Sequence, residues 1–194
     1  TLERTDTGGY AIRNNGTLTV ESGIIKGDGG IDNEGILTFK DGSVEAHNYN
    51  AIDNSGTAYI YNGTFKSIDL GSITNDSDAL VYVYGGEFSG FSGIDNFGTA
   101  YIEGGKFKGN YYAAFNLLSG TVEVTGGSFM GTDDEYGYCS GIPYGEWTVD
   151  IDEGATLILE GGEFPNGFVA YKATANALLA EDYYYKDAEG KLID

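Results

Sequence analysis

The sequence predicts an all-β fold, a parallel β-solenoid with about 21 residues in each coil. The first observation is a repeat, because "IDNEGILTF" at 31–39 returns as "IDNSGTAYI" at 52–60 and as "IDNFGTAYI" at 94–102. The second is the alternation of apolar and polar residues over very short runs, which is typical of strands. The third is glycine, at 32 residues against two prolines, which supplies the turns between those strands.

The period is set by an asparagine in the pattern Ile-x-Asn. A buried amide at a turn is costly when isolated, but in a stack it bonds the amides above and below it. We therefore expect an asparagine ladder along the axis, with Asp152 in the same place in the last coil. The asparagines of the predicted ladder are Asn14, Asn33, Asn54, Asn75, Asn96 and Asn116.

Each repeat then continues with an apolar pair, a turn that usually holds Gly-Gly, and one large apolar residue. Three short strands and three turns fill one coil, whereas a propeller blade needs about 40 residues or more. We expect about seven to eight coils, with the large residues stacked inside as a hydrophobic column. Those residues are Ile25, Val44, Phe65, Phe88, Phe107, Phe129 and Phe164.

Composition narrows the function classes. The chain has 194 residues and a formal net charge of −20, which disfavours nucleic acid and anionic membrane surfaces as partners. No apolar run approaches the roughly 18 residues of a membrane helix, so we expect no membrane insertion. Cys139 is the single cysteine. Because the chain starts without methionine and the repeat runs from residue 11, we expect a monomeric piece of a longer multidomain chain.

The units "AIRNNGTLTVESGIIKG", "AIDNSGTAYIYNGTFKS" and "GIDNFGTAYIEGGKFKG" resemble the repeats of right-handed parallel β-helices, the pectate-lyase-like class. They are most similar to repeats in secreted and wall-attached surface proteins of Gram-positive bacteria. The resemblance covers about residues 9–170. It implies a single-domain right-handed parallel β-helix at the extracellular, bacterial cell surface. The class includes polysaccharide lyases, hydrolases, adhesins and inert stalks, so it does not fix the function.

Two segments break the repeat. Residues 1–171 are predicted to form the coils, with an irregular loop insertion at about 130–148 that is rich in tyrosine, glycine and acidic residues. Residues 172–194 are predicted to form a C-terminal cap, since an open solenoid end exposes backbone and core. In this cap "TANALLAED" has helical spacing, and "DYYYK" and "KLID" read as a β-hairpin.

Few residues could carry catalysis. The lyases of the class would imply an acidic calcium cluster and a basic residue on the outer face, but the only arginines are Arg4 and Arg13. The only histidine, His47, is expected in a loop, and no Ser-His-Asp or Cys-His arrangement can be assembled. We therefore expect no enzyme activity, no catalytic residue and no cofactor.

Outward aspartates raise the question of a metal. Asp32, Asp53 and Asp95 occupy one column, in which Thr74 interrupts the series. Carboxylates one coil apart repel each other, and a calcium ion would relieve that repulsion. The alternative is a solvated acidic stripe, and the same alternative holds for a second cluster at 133–135. We expect no resident metal and keep calcium as the ion to test.

Aromatic residues are the strongest candidates for ligand binding. Alternation places Tyr59, Tyr82 and Tyr101 at equivalent outward positions in three coils, with Tyr61 and Tyr84 beside them. One interpretation is stacking that only stabilises the sheet. The other is a platform for a glycan or a host or cell-surface protein. Three further aromatic residues of the long loop complete the predicted ligand-binding set, namely Tyr136, Tyr138 and Trp147.

The sequence thus favours a non-catalytic extracellular module of a bacterial surface protein that mediates adhesion or ligand binding through an exposed tyrosine face. Two alternatives stay open. One is a passive stalk, which predicts no ligand at all. The other is a polysaccharide-active lyase or hydrolase, which predicts release of unsaturated or reducing sugars.

Overall fold

The computed structural model of the chain describes residues 1–110, 113–131, 149–152, 154–165, 170–171, 177–179, 185–186 and 192–193. Within these residues the fold is all-β, without a helix, and forms a parallel β-solenoid of about 6 turns with about 21 residues per turn. The predicted fold class is therefore confirmed.

The strands are short, because each spans only one side of a coil. The first ten are β1 (Leu2–Glu3), β2 (Tyr10–Asn14), β3 (Thr17–Val20), β4 (Ile24–Gly27), β5 (Gly29–Asn33), β6 (Ile36–Phe39), β7 (Ser43–Ala46), β8 (Ile52–Asn54), β9 (Thr57–Ile60) and β10 (Thr64–Ser67). The next nine are β11 (Ile73–Asn75), β12 (Leu80–Val83), β13 (Glu87–Gly90), β14 (Ile94–Asn96), β15 (Thr99–Ile102), β16 (Lys106–Gly109), β17 (Phe115–Leu117), β18 (Thr121–Val124) and β19 (Ser128–Gly131). The last six are β20 (Val149–Ile151), β21 (Thr156–Leu159), β22 (Ala170–Tyr171), β23 (Ala177–Leu179), β24 (Tyr185–Lys186) and β25 (Leu192–Ile193).

Three parallel sheets run along the solenoid, and each coil adds one strand to each of them. Sheet A has the order β1-β4-β7-β10-β13-β16-β19, sheet B has β2-β5-β8-β11-β14-β17-β20-β22, and sheet C has β23-β21-β18-β15-β12-β9-β6-β3. The complete three-strand coils run from β2–β4 to β17–β19. The expected seven to eight coils are thus too many for the described residues, because beyond β19 sheet A gains only a single bridge, from Ser128 to Glu163.

The predicted hydrophobic column is confirmed. Phe65, Phe88 and Phe107 lie in register on sheet A, and all three side chains are fully buried. Their ring centroids are 4.9 and 4.6 Å apart, and neighbouring rings are nearly parallel. The column continues through Phe129 to Phe164, whose ring centroids are 5.6 Å apart. Because the equivalent position of each successive strand faces inward, every coil contributes one large side chain to a single continuous core.

The asparagine ladder is confirmed from Asn14 to Asn96. From Asn14 to Asn75, each Nδ2 donates to the Oδ1 of the asparagine one coil further on, at 2.7, 2.7, 2.8 and 2.8 Å. The same amides also donate to backbone carbonyls of the turn, as Asn75 does to the oxygen of Thr99 at 3.1 Å. All the side chains of this ladder are buried. Their polar atoms are satisfied within the stack, which is the condition for burying them.

The predicted ladder is wrong beyond Asn96. Leu117, not Asn116, pairs with Asn96, and the next residue in that column is Ile151, not Asp152. Asn116 instead points outward, where its Nδ2 donates to Asp95 at 3.0 Å. The reason is alternation within β17, because Phe115 and Leu117 are both fully buried and the residue between them must face out.

The C-terminal segment differs from the expectation at three residues. Ala177–Leu179, within the stretch expected to be helical, forms β23 and pairs in parallel with β21, so it extends sheet C by backbone hydrogen bonding. Further on, β24 and β25 pair antiparallel. The cap at 172–194 and the loop insertion at about 130–148 stay predictions, since most of their residues lie outside the described ones.

We predict that Phe88→Ala lowers the free energy of unfolding by about 3–5 kcal/mol, because it leaves a cavity between two stacked rings. Chemical denaturation of the purified chain measures the loss. The control is Phe97→Ala, at a turn where the ring is exposed, with an expected loss below about 1 kcal/mol. Equal losses in the two variants would contradict a continuous phenylalanine core.

Candidate functional site

The five tyrosines of the predicted platform lie on the outer face of sheet C, in two columns. Tyr59, Tyr82 and Tyr101 pair in register, with successive ring centroids 5.0 Å apart and ring planes within 11° and 13° of parallel. Tyr61 and Tyr84 form the second column, at 4.8 Å and 17°. The structure therefore brings these residues together as expected. Tyr136, Tyr138 and Trp147 lie outside the described residues.

The rings stack on one another along the solenoid axis, and this changes what the surface offers. Each stacking contact covers the two ring faces that meet in it, so Tyr82 has both faces covered, and the other four rings each have one face covered. The stacking itself contributes roughly 0.2–1 kcal/mol for each cross-strand pair. Tyr61 and Tyr84 are the most exposed members, at 49% and 37%. Ligand binding by any of the five stays a prediction.

A groove of about 680 Å³ runs beside the tyrosine columns, at the corner where each coil turns from sheet C to sheet A. Its sides carry Glu87, Lys106 and Ser128, which belong to successive strands of sheet A, and Asn62 and Glu163 also line it. Its floor is glycine backbone from successive turns, namely Gly86, Gly104, Gly105, Gly126, Gly127 and Gly162.

The floor is free of side chains for two reasons. The second glycine of each turn has a positive φ, as at Gly105 with +102° and Gly127 with +101°, which L side chains rarely adopt. The first glycine lies against the coil below it, where a Cβ on Gly104 would clash with the carbonyl oxygen of Tyr84. Glycine at both places in successive turns therefore produces the groove.

Unpaired peptide groups line this floor. The amides of Gly86, Gly105 and Gly127 donate no hydrogen bond to any residue that the structure describes, although their carbonyls each accept one from sheet A, at 2.8 Å. An exposed amide of this kind is hydrated, and a ligand acceptor can replace the water. The three amides recur once per coil, about 4.8 Å apart, so the groove offers a regular row of donors.

A charged pair borders the groove. The Nζ of Lys106 lies 2.9 Å from the Oε1 of Glu87, and both side chains are largely exposed. Such a pair contributes little to stability, about 0–1 kcal/mol, so both groups are available to a ligand. The pKa of Tyr84, which directly precedes the turn glycines at 85–86, is raised by partial desolvation and by the nearby Tyr61 and Glu103. Its hydroxyl is therefore a neutral hydrogen-bond donor at neutral pH.

The outward aspartates of sheet B each have a partner within the protein. Arg13 Nε lies 2.7 Å from Asp32 Oδ2, and the Tyr10 hydroxyl donates to Asp53 Oδ2 at 2.6 Å. Asp95 Oδ1 accepts from the Ser92 hydroxyl at 2.6 Å. Each of these carboxylates therefore has a hydrogen-bond or ion-pair partner within the protein, and calcium stays the ion to test. Among the described residues, no group of three or more His, Cys, Asp or Glu side chains could hold a metal ion.

Burial raises the pKa of both Asp53 and Asp95 above that of an exposed aspartate. For Asp53, the hydrogen bond from Tyr10 opposes this effect, and the charges of Asp76 and Asp32 add to it. Burial also raises the pKa of Tyr10, with the hydrogen bond to Asp53 as the second cause. These carboxylates are therefore partly desolvated charges that the fold tolerates through hydrogen bonding.

The residues that the sequence offered for catalysis do not come together. His47 lies in the exposed turn between β7 and β8, where its backbone amide donates to the carbonyls of Gly27 and Asp28. Arg13 is held by Asp32, and Arg4 Nη1 donates to the carbonyl oxygen of Tyr10 at 2.8 Å. The acidic cluster at 133–135 lies outside the described residues.

The groove was missed from the sequence. The doubled glycines at 85–86, 104–105, 126–127 and 161–162 predict turns, but not a groove. The available signal was that only the second glycine of each pair needs a positive φ. The first place carries Ser22, Asp41 and Asn62 in the earlier coils, so the change to glycine at this place in the later coils marks where the groove lies.

Comparison with protein-family models, with curated proteins and with solved structures finds no match for this chain. The pectate-lyase-like class and the Gram-positive surface origin are therefore expectations from the repeats alone. In the part of the chain that the structure describes, no helix has the length and apolar character needed to cross a membrane.

We predict that Asp95→Asn raises the melting temperature at neutral pH. The buried carboxyl has a raised pKa in the folded protein, so the folded state holds its proton more tightly than the unfolded state does. Its contribution to stability is therefore highest below the ordinary aspartate pKa of about 3.9 and falls as the pH rises through the raised value. Asparagine keeps the acceptor for Ser92 and has no charge to bury.

Thermal unfolding over a pH series measures this effect. The gain of Asp95→Asn over the wild type is expected to grow with pH, while Asp69→Asn, at an exposed position, serves as the matched charge control. A loss of stability in Asp95→Asn at every pH would show that the carboxylate itself is needed there.

Proposed function

We propose that this chain is a non-catalytic extracellular module of a bacterial surface protein that binds an extended glycan chain along the corner between sheet C and sheet A. The observation that carries the proposal is the groove, with one unpaired amide in each of three successive coils. The extracellular setting rests on the resemblance of the repeats to those of surface proteins.

A linear glycan suits this groove better than a globular protein does. A floor without side chains admits a thin polymer, and hydroxyl or carboxylate oxygens at regular intervals can accept hydrogen bonds from the row of amides. Glu87 can accept hydrogen bonds from sugar hydroxyls, and Lys106 can donate to sugar oxygens. The edges and hydroxyls of Tyr61 and Tyr84 add polar contacts on the side of sheet C.

This arrangement modifies the tyrosine hypothesis. Sugar rings commonly pack on free aromatic faces, and stacking covers both faces of Tyr82 and one face each of Tyr59 and Tyr101. We therefore assign the tyrosines a supporting role, through their hydroxyls and edges, and assign the main contact to the glycine groove.

A passive stalk is the second candidate. The asparagine ladder links successive coils without a break from Asn14 to Asn96. The phenylalanine column does the same from Phe65 to Phe164. Continuous columns of this kind make a stiff rod that could hold another domain away from a surface. This candidate predicts no ligand.

We predict that the wild-type chain binds a subset of linear glycans on an array, and that the double variant Glu87→Ala with Lys106→Ala weakens binding about tenfold or more. Hydrogen bonds to charged groups contribute about 1.5–3 kcal/mol, and 1.4 kcal/mol corresponds to a factor of ten. Titration of the best array ligand by calorimetry measures the change in the dissociation constant.

The matched control is the double variant Lys26→Ala with Glu45→Ala. It removes the same two residue types from an ion pair of 2.7 Å on the same sheet, outside the groove. Its dissociation constant should stay within about twofold of the wild type. Absence of any glycan ligand would favour the stalk, equal weakening in both double variants would contradict the groove, and release of reducing sugars from a bound glycan would contradict the non-catalytic proposal.

A further inference from the structure

The exposed tyrosine column of sheet C holds two phenols in a geometry suited to reaction with each other. Tyr61 follows β9 and Tyr84 follows β12, and these strands pair in register. Their ring centroids are 4.8 Å apart and their planes differ by 17°. Both rings are exposed, at 49% and 37%, so a soluble oxidant can reach them.

Phenols in such contact can couple when each loses one electron. An oxidised phenol releases its hydroxyl proton and becomes a neutral phenoxyl radical. Two such radicals form a carbon–carbon bond between the ring positions next to their oxygens, and each of those carbons then loses its hydrogen as the proton moves to oxygen and aromaticity returns. The pair gives up two electrons and two protons in total, and hydrogen peroxide takes them up to form two molecules of water.

The scaffold favours coupling within the molecule. Stacked coils hold the two rings beside each other, which turns an encounter between two chains into a reaction within one. The rings lie on a surface, so each can tilt outward by the small rotation that bond formation requires. Within this column no third ring competes, since Lys40 precedes Tyr61 and Glu103 follows Tyr84.

Other tyrosine contacts of the described residues are less suited. Tyr59, Tyr82 and Tyr101 are more buried, and their packing restricts the tilt that coupling needs. The rings of Tyr10 and Tyr49 are 5.6 Å apart and inclined at 40°, and the Tyr10 hydroxyl is held by Asp53. The exposed column is therefore the preferred place for a cross-link.

We propose that Tyr61 and Tyr84 are a site of oxidative modification, at which peroxide and a haem peroxidase form an intramolecular dityrosine bond between neighbouring coils. The bond ties the turn after β9 to the turn after β12 and so closes a covalent loop around one full coil. A cross-link of this kind restricts the unfolded chain and raises the melting temperature. The proposal does not require that the chain binds a glycan.

The test treats the full chain, at low concentration, with hydrogen peroxide and a haem peroxidase. The expected product is a monomer about 2 Da lighter, with the blue fluorescence of dityrosine and a proteolytic peptide pair joined through Tyr61 and Tyr84. The fraction of cross-linked monomer should not change on tenfold dilution, and the product should melt at a higher temperature than the untreated chain.

Phenylalanine variants keep the stack and remove the reactive hydroxyl. Tyr61→Phe and Tyr84→Phe should each lose at least about nine-tenths of the monomer cross-link, while Tyr49→Phe should keep it. The proposal is overturned if either stacked-pair variant couples as well as the wild type. It is equally overturned if the only products are intermolecular dimers, or if no dityrosine forms under conditions that couple free tyrosine.

Discussion

In-register stacking of parallel coils is the constraint on which the rest of this structure depends. Each strand bonds the equivalent strand of the next coil, so equivalent side chains lie about 4.8 Å apart along the axis. A residue type can recur in such a column only if it interacts favourably with its own copies. Asparagine does so because its amide both donates and accepts, and phenylalanine and tyrosine do so because their rings stack.

Charged residues can also stack in a column when a positive side chain in one coil lies beside a negative side chain in the next. All four ion pairs among the described residues join neighbouring coils, as Lys26 does with Glu45 and Lys106 with Glu87. Where aspartates follow one another, as at Asp32 and Asp53, each carboxylate has a donor of its own. Asp32 and Asp53 can therefore lie directly above one another, although their charges still repel and contribute to the raised pKa of Asp53.

The fold could be predicted from the sequence because the period, the alternation and the turn glycines all indicate the same register. The prediction is wrong first at Asn116, where the spacing between repeats changes and the asparagine no longer marks the inward position. The apolar residues on both sides of it, Phe115 and Leu117, were the better signal, because burial decides which residues of a strand face inward. It also failed at Ala177–Leu179, where pairing with the neighbouring coil overrides helical spacing.

The sequence predicts where the tyrosine columns lie, but not how their rings are oriented. Alternation placed Tyr59 and Tyr61 on the outer face, but whether their rings lie flat or stack depends on the distance between coils and on rotamers. The groove could not be read from any single residue, because it results from side chains that are absent over several turns. Its donors, the amides of Gly86, Gly105 and Gly127, belong to the backbone, so the doubled glycines indicate where the turns lie but not which peptide groups are unpaired.

The most direct test of in-register stacking compares two engineered cysteine pairs, each in a chain that also carries Cys139→Ser. Thr99 and Thr121 are register partners, so cysteines there have Cα atoms about 4.8 Å apart, within the range that a disulfide spans. Cysteines at Thr99 and Glu123 lie on the same face but roughly 8 Å apart, beyond that range. The account predicts that mild oxidation closes the first pair and leaves the second pair as free thiols. Closure of the second pair in preference to the first would show that the coils do not stack in this register.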